Sequence, residues 1–582
     1  MKQNKYRTHT CEELRIADVG KEVRLSGWVN SIRRLGGITF LTLRDNYGIT
    51  QILVRDENLL NDVVKESVIK VEGKVIERES KNPKMPTGDI EIEASSIEIL
   101  GKCKNVLPFE VADAPQTKEE LRLKYRFLDL RHPDLHSRIL KRAQILKFVR
   151  DRLTSLGFTE FQTPILANTS PEGARDFIVP TVLAPGEFYA LPQSPQQFKQ
   201  LLMVSGFDRY FQIAPCFRNE AARADRTPGE FYQIDLEMAF ATQDDVFEVC
   251  ETLASEIFEN FTSLQVSKPP FKRIKWRDAM EKYCSDKPDL RNPLTVSDET
   301  EFFKNSEISF LKNKTVKAIK IDAKQKSRKF FDEIGQFVVS IEGKGAAWVK
   351  INEGQMTGSI SKLLTEGQKQ TLQNKFALKE GEAVIFVGDE EEKAIYLAGA
   401  LRNELGERLN IIDKNKVEFC WIVDFPFYEK NPDTGKPDFA HNPFSMPQGE
   451  LEALNNKNPF DIVAYQYDLV CNGYEMLSGA IRNHSPEIMV KAFEIAGYPK
   501  EVVESKFPAL YNAFQYGAPP HAGAAFGFDR MLMPIMNQES MREVIAFPLN
   551  KNGRDLLMGS PSRPFDEQLR DVHIKLDLEE KK

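Results

Sequence analysis

The stretch Glu230-Phe231-Tyr232-Gln233-Ile234-Asp235-Leu236-Glu237 constrains this chain most tightly. In a strand, Phe231, Gln233, Asp235 and Glu237 share one face. A row of one amide and two carboxylates is costly in a core, so that face is expected to line a site. Upstream lies Pro215-Cys216-Phe217-Arg218-Asn219-Glu220, followed by an arginine-rich turn with Arg223 and Arg226. The whole reads as strand, loop, strand. The planar guanidinium of Arg218 suits bidentate contact with a phosphate, and Phe231 can stack on a base. Apolar flanks at Phe217 and Phe240 argue against a solvent-facing hairpin.

The familiar ways of holding a nucleotide are missing. Gly-Lys occurs at Gly20, Gly73, Gly101, Gly343 and Gly435, never followed by Ser or Thr, so there is no Walker loop. No G-x-G-x-x-G opens a helix after a strand. The seven cysteines are widely spaced and form no C-x-x-C, which fits a reducing cytoplasm. His132 and His136 have helical i,i+4 spacing, but Pro133 lies between them and no zinc motif surrounds them. No run of about 18 apolar residues could cross a membrane, and the start leads into no signal-peptide core.

Along the chain, residues 14–100 hold five short alternating segments: Val23–Val29, Thr39–Leu43, Ile49–Val54, Ile69–Val75 and Asp89–Glu93. A helix-like piece from Asn58 to Glu66 falls between the third and fourth. Five strands in that order predict an OB-fold barrel, a frequent binder of single-stranded nucleic acid. Residues 106–140 read as a hinge. Residues 117–152 carry 11 Lys/Arg against five Asp/Glu; alone this reads as a solvated helix face, and the place beside the barrel adds weight to a nucleic-acid role. An amphipathic helix is expected over Leu140–Leu156, stopped by Gly157. Residues 285–415 read as a separate α+β module, with strands at Val316–Ile321, Gln336–Ile341, Ala347–Ile351 and Ala383–Val387. Hydrophobic strands return at Glu418–Val423 and Asp468–Cys471. Asp468 and Glu475 stand seven apart, an odd spacing that puts them on opposite faces of one strand unless a bend or bulge intervenes.

A third stretch completes the pattern: His521-Ala522-Gly523-Ala524-Ala525-Phe526-Gly527-Phe528-Asp529-Arg530. Small residues allow close backbone approach. A helix is expected near Asp529 with Arg530 in its first turn, against the dipole preference, which an anionic ligand would explain. With Gly157-Phe158-Thr159-Glu160-Phe161-Gln162-Thr163-Pro164, these stretches resemble, in order, the three motifs of the class II aminoacyl-tRNA synthetases. The barrel narrows the resemblance to the aspartate, asparagine and lysine subgroup. Thr169–Phe177 and Leu191–Gln200 are similar to the flipping loop and amino-acid loop of its bacterial aspartyl branch.

The resemblance implies a multidomain α+β protein. Its parts are an OB-fold barrel (1–105), a hinge (106–140), an antiparallel-sheet catalytic domain with helices (141–284 and 416–582) and an inserted α+β domain (285–415). It implies Arg218, Glu220 and Arg530 as catalytic. ATP is expected at Arg218, Asn219, Glu220, Phe231, Glu475, Gly527, Phe528, Asp529 and Arg530. L-aspartate is expected at Glu172, Ser194, Gln196, Lys199, Arg218, Gln233, Asp235, His441 and Arg482, with Lys199 and Arg482 on its side-chain carboxylate and Asp235 balancing them. Mg²⁺ is implied at Asp468 and Glu475. The anticodon of tRNA(Asp) is expected at Arg33, Phe40, Gln51 and Glu91, with barrel core as the lesser alternative for Phe40. A homodimer is implied through the first motif. Leu35 stands where relaxed bacterial enzymes tend to have histidine, which leans towards charging tRNA(Asp) rather than tRNA(Asn) as well. The rival readings are a nucleic-acid-binding protein on an inactive scaffold and an ammonia-dependent asparagine synthetase. Intact Arg218, Glu220, Glu475 and Arg530 oppose the first, and the barrel opposes the second. A net charge of −7 does not exclude RNA, because residues 1–105 hold 18 Lys/Arg against 16 Asp/Glu.

Overall fold

The computed structural model describes residues 3–169, 174–220 and 229–578. Two compact units divide at Asp113/Ala114. The first is a closed five-stranded barrel of Glu22–Leu35, Ile38–Arg44, Ile49–Val54, Val68–Glu77 and Ile90–Gly101, with the fifth strand between the third and fourth. Alternation fills it: Leu25, Val29, Leu41, Leu43, Ile52, Val71 and Ile92 are fully buried. The expected helix at 58–66 is only a 3-10 turn, Glu57–Leu60. Asp62 and Glu66 adopt positive φ and break the run.

In the second unit an eight-stranded sheet runs, from edge to edge, Lys272–Lys275, Phe419–Val423, Gln466–Cys471, Tyr474–Ile481, His521–Gly527, Gly229–Ala239, Arg209–Arg218 and Thr159–Glu160. Its interior pairs are antiparallel and its two outermost pairs parallel. One face is dry. Ile234, Leu236, Trp421, Leu469 and Phe526 pack there with helices Pro133–Ser155 and Gln243–Phe261. Phe247 stacks on Trp421 with ring centroids 3.9 Å apart. The opposite face carries the polar row of the 229–239 strand. Glycine lets the strands close at its foot: a Cβ on Gly523 would lie 2.0 Å from Glu237 Oε2.

Two expectations need correction, the start of the long helix and the strand at 336–341. The long helix starts at Pro133, not Leu140, because proline suits a first helical position. His132 caps that helix, its Nδ1 accepting from the Asp134 N–H, so the histidine pair is a helix start. Residues 336–341 are not a strand. They end helix Arg328–Ser340, where Phe331, Ile334 and Val338 recur at helical spacing and are buried. The inserted module is otherwise a five-stranded sheet ordered Val296–Asp298, Thr315–Asp322, Glu382–Asp389, Ala347–Asn352, Gln355–Gly358, flanked by that helix and Glu391–Arg408.

The segment expected as a hinge belongs from Ala114 onward to the second unit and is largely helical. Its basic residues face inward in large part. Arg122 and Arg138 both bond Glu543, at 2.8 Å each. Arg126, almost fully buried, bonds Asp129 at 2.5 Å and the carbonyls of Arg542, Ile545 and Ala546. Arg142 pairs with Asp529. Four arginines of the positive run therefore clamp this segment to residues 529–546, while Lys118, Lys124, Lys147 and Arg150 stay exposed.

Candidate active site

The polar face of the sheet opens into a cavity of about 610 Å³. Ser194, Gln196, Lys199, Arg218, Glu220, Phe231, Gln233, Asp235, His441, Asp468, Glu475, Arg482, Gly527, Asp529 and Arg530 all line it. The sequence scatters these residues over 337 positions (Ser194 to Arg530), and the sheet topology brings them together.

At its floor lies a buried four-charge cluster. Helix Gln196–Val204 delivers Lys199, whose Nζ donates to Asp235 Oδ1 at 2.6 Å and lies 3.3 Å from Glu237 Oε2. Arg482, just past the 474–481 strand, donates from Nε and Nη2 to the two oxygens of Glu237 at 2.9 and 3.2 Å. Two carboxylates, not Asp235 alone, therefore balance the two cations. Burial would raise Glu237, but the Arg482 and Lys199 charges hold its carboxyl below the usual range. Asp235 goes the other way, because burial outweighs Lys199 and pushes it up. Its Oδ2 has no hydrogen-bond partner among the described residues. Gln196 donates to Gln200 at 2.9 Å, and the Gln200 amide lies 3.0 Å from His521 Nε2.

A second group sits where the central strands turn. Arg218 ends the 209–218 strand and its guanidinium covers the Phe231 ring at 5.0 Å. This pairing follows from register, since Gly229 lies opposite Arg218 and Phe231 opposite Cys216. Arg218 Nε is buried and makes no hydrogen bond among the described residues. Helix Phe528–Ile535 places Arg530 in its first turn, where Nη1 donates to the Glu475 carbonyl at 2.8 Å and lies 3.7 Å from its carboxylate.

Asp468 and Glu475 face the cavity together, but not on one bent strand. They lie on two strands joined by a hairpin at Asn472-Gly473, both with positive φ, with a register shift between Leu469 and Val470. Asn-Gly is a strong hairpin signal. Burial, then Glu475, pushes Asp468 well above the usual carboxylate range. Asp468 Oδ1 is buried without a hydrogen-bond partner among the described residues. Two neighbouring carboxylates with an unspent buried oxygen fit a divalent cation that takes its other ligands from phosphates and water.

Other expected residues stand differently. Asp529 holds the scaffold, accepting from Arg142 and, at 2.8 Å, from the Tyr232 N–H. Phe528 is fully buried in the core beneath the sheet rather than lining the cavity. Asn219 is exposed and outside the cavity lining, its N–H donating to the Arg175 carbonyl at 2.9 Å. Burial lowers His441, whose ring meets Phe425 edge-on. Glu172 and the turn at 221–228, with Arg223 and Arg226, lie outside the described residues. Alternation with Asp235 puts Glu237 on the site face, but the resemblance gives it no role, and the structure makes it the partner of both cations. Sequence reasoning missed Asp286 and Lys287, which line the cavity from the root of the inserted module and carry no local pattern.

On the barrel, Phe40 is half-buried and outside the hydrophobic core, with Arg33 directly across the strand pair. Gln51 Nε2 donates to Glu91 Oε2 at 2.7 Å. Strand register puts Arg33, Phe40 and Gln51 on one outer face.

A family model described as tRNA synthetases class II (D, K and N) matches residues 118–551. One described as an OB-fold nucleic acid binding domain, tRNA_anti-codon, matches residues 23–100. A relative from Streptomyces avermitilis named Aspartate--tRNA ligase is 52% identical, over 98% of this chain and 99% of its own. One from Rickettsia bellii named Aspartate--tRNA(Asp/Asn) ligase is 50% identical, over 98% of both. Among solved structures, a putative aspartyl-tRNA synthetase from Leishmania major Friedlin aligns with a TM-score of 0.59 at 18% identity, covering 94% of each chain.

Proposed function

The chain belongs to the class II tRNA synthetases of the aspartate, lysine and asparagine group, and we propose that it joins L-aspartate to tRNA(Asp). The observation that carries this reading is the paired Lys199 and Arg482 on the cavity floor, held by Asp235 and Glu237. Glu237 engages Nε and Nη2 of Arg482, so Nη1 remains as the donor for an incoming carboxylate. A lysine ammonium would meet two cationic donors there, and asparagine would offer them one neutral carbonyl oxygen where aspartate offers two charged ones. The unpaired Asp235 Oδ2 is an acceptor within the same cluster.

ATP takes the other half of the cavity. Phe231 stacks on the adenine, Arg218 meets the α-phosphate and Arg530 meets the γ-phosphate. The aspartate α-carboxylate attacks the α-phosphorus in line, and the P–O bond to pyrophosphate breaks. Arg218 neutralises charge building on the α-phosphoryl oxygens, and the site contributes mainly position and electrostatics. Asp468 and Glu475 would hold Mg²⁺, which when bound supplies charge neutralisation to the phosphates. The 3′-terminal adenosine of tRNA(Asp) then attacks the aspartyl carbonyl and releases AMP. Gln51, Glu91, Phe40 and Arg33 on the barrel hold the anticodon by stacking and base-edge hydrogen bonds. The protein acts as a cytoplasmic homodimer. Seven cysteines without a disulfide fit that compartment, and among the described residues no helix is long and apolar enough to cross a membrane.

A second reading, charging of tRNA(Asn) as well, is favoured by the Asp/Asn-named relatives. Exposed Leu35, beside the positive-φ turn Gly36-Gly37 at the barrel's first hairpin, supports the narrower one. Purified tRNA(Asp) and tRNA(Asn), aminoacylated side by side, decide between them. Charging of tRNA(Asp) alone is expected. Comparable charging of both would replace the narrower reading.

A further inference from the structure

Lys287 lies outside every motif considered above, yet its ammonium enters the cavity from the root of the inserted module. Its Nζ donates to Asp286 Oδ2 at 2.9 Å and lies 3.5 Å from Glu475 Oε2. The backbone that carries it is fixed from three sides. Arg291 grips the Asp289 carboxylate with Nε at 3.0 Å and Nη2 at 2.8 Å. Buried Arg402, on the inserted helix Glu391–Arg408, donates to the carbonyls of Asp289, Asn292 and Leu294 at 2.9, 2.7 and 2.7 Å. Gly473, in the hairpin between Asp468 and Glu475, packs on Asp289, where a Cβ would come within 3.4 Å of the Asp289 Cβ. The inserted module and the carboxylate hairpin thus share one anchor, and the lysine is delivered beside the pair that most needs a positive charge.

We propose that Lys287 is a positioning residue, a resident counter-charge to the Asp468–Glu475 pair that competes with a divalent cation for Glu475. The inference rests on the reading of that pair as the magnesium site. Arg530 lies 3.7 Å from one oxygen of Glu475 and Lys287 3.5 Å from the other; with less opposing charge the two neighbouring carboxylates repel, and one of them is buried with an unspent oxygen. An ammonium 3.5 Å away relieves the repulsion and keeps the hairpin closed. The same ammonium makes the pair a poor site for a metal alone, so that tight binding requires the phosphates of ATP as additional ligands. The inserted module therefore supplies a working side chain to the catalytic cavity.

The test is binding of Mn²⁺ alone to the full chain, followed by electron paramagnetic resonance. Lys287→Gln is expected to bind Mn²⁺ about fivefold more tightly than the unaltered protein, the upper end for an ion pair that keeps some solvent. Lys287→Arg is expected to stay near the unaltered affinity, and adding Glu475→Gln to Lys287→Gln should erase the gain. General structural damage would weaken binding, so a gain separates positioning from folding. Unchanged or weaker Mn²⁺ binding in a folded Lys287→Gln protein overturns the proposal, as does a gain that survives Glu475→Gln. If aspartate-dependent ATP–pyrophosphate exchange proceeds while Mn²⁺ affinity ignores Lys287, the proposal falls and the assigned reaction stands. If exchange is absent altogether, the assigned reaction falls instead.

Discussion

Arg218→Ala lowers aspartate-dependent ATP–pyrophosphate exchange by about 10³-fold while the fold is retained. Arg218 is held over the Phe231 ring, and its buried Nε has no protein acceptor among the described residues. A donor kept buried and unspent costs stability unless a ligand uses it. The charge it meets grows as the α-phosphorus is attacked, so the loss falls on the chemical step more than on binding. Arg218→Lys should recover only part, because a point charge cannot form two parallel bonds or stack as a plane. Exchange rates with circular dichroism and thermal melting as fold controls check this. Near-normal exchange in a folded Arg218→Ala protein would remove Arg218 from the mechanism.

Glu237→Gln is expected to be the most destabilising single-atom change in the cavity. Glu237 is fully buried and bonds both Arg482 and Lys199. Removing its charge strands one cation, and breaking a buried pair this way costs about 3–5 kcal/mol, or roughly 5–10 °C in the melting of the catalytic unit. The pH dependence has a definite sign. The Arg482 and Lys199 charges hold the folded-state carboxyl of Glu237 below its ordinary value. Its stabilisation is therefore complete above that ordinary value and fades as pH falls through the lowered one. The gap in melting temperature between the two proteins should be widest near neutrality and close in acid. Asp235, raised by burial, contributes in the opposite direction, with stability that fades as pH rises. Melting both proteins across pH 3–8 gives the comparison, and a gap that widens in acid would contradict the assignment of charges.

What was legible in the sequence was local and periodic. The 229–239 strand announced its polar face through alternation, and the barrel's strands emerged from the same period of two. In the charge run at 117–152 the inward-facing arginines could not be told from the exposed lysines, because composition carries no partners. Glu543 and Asp529, which pair with three of its arginines, lie about 400 residues downstream. Residues 336–341 misled because β-branched residues and Phe337 suit a strand locally, whereas burial of Phe331, Ile334 and Val338 is a property of the tertiary core. Asp468 and Glu475 were found, and the bend or bulge that their odd spacing called for is the Asn472-Gly473 turn with its register shift. Lys287 was invisible for a different reason: its role depends on the anchor made by Arg402 and Asp289 across the inserted module.

The cavity floor is the centre of the account, and the most direct test is amino-acid-dependent ATP–pyrophosphate exchange by the unaltered protein. Aspartate should drive exchange, with asparagine and lysine near background, because Lys199 and Arg482 present charged donors matched to a side-chain carboxylate. Exchange driven by asparagine or lysine but not aspartate would contradict it.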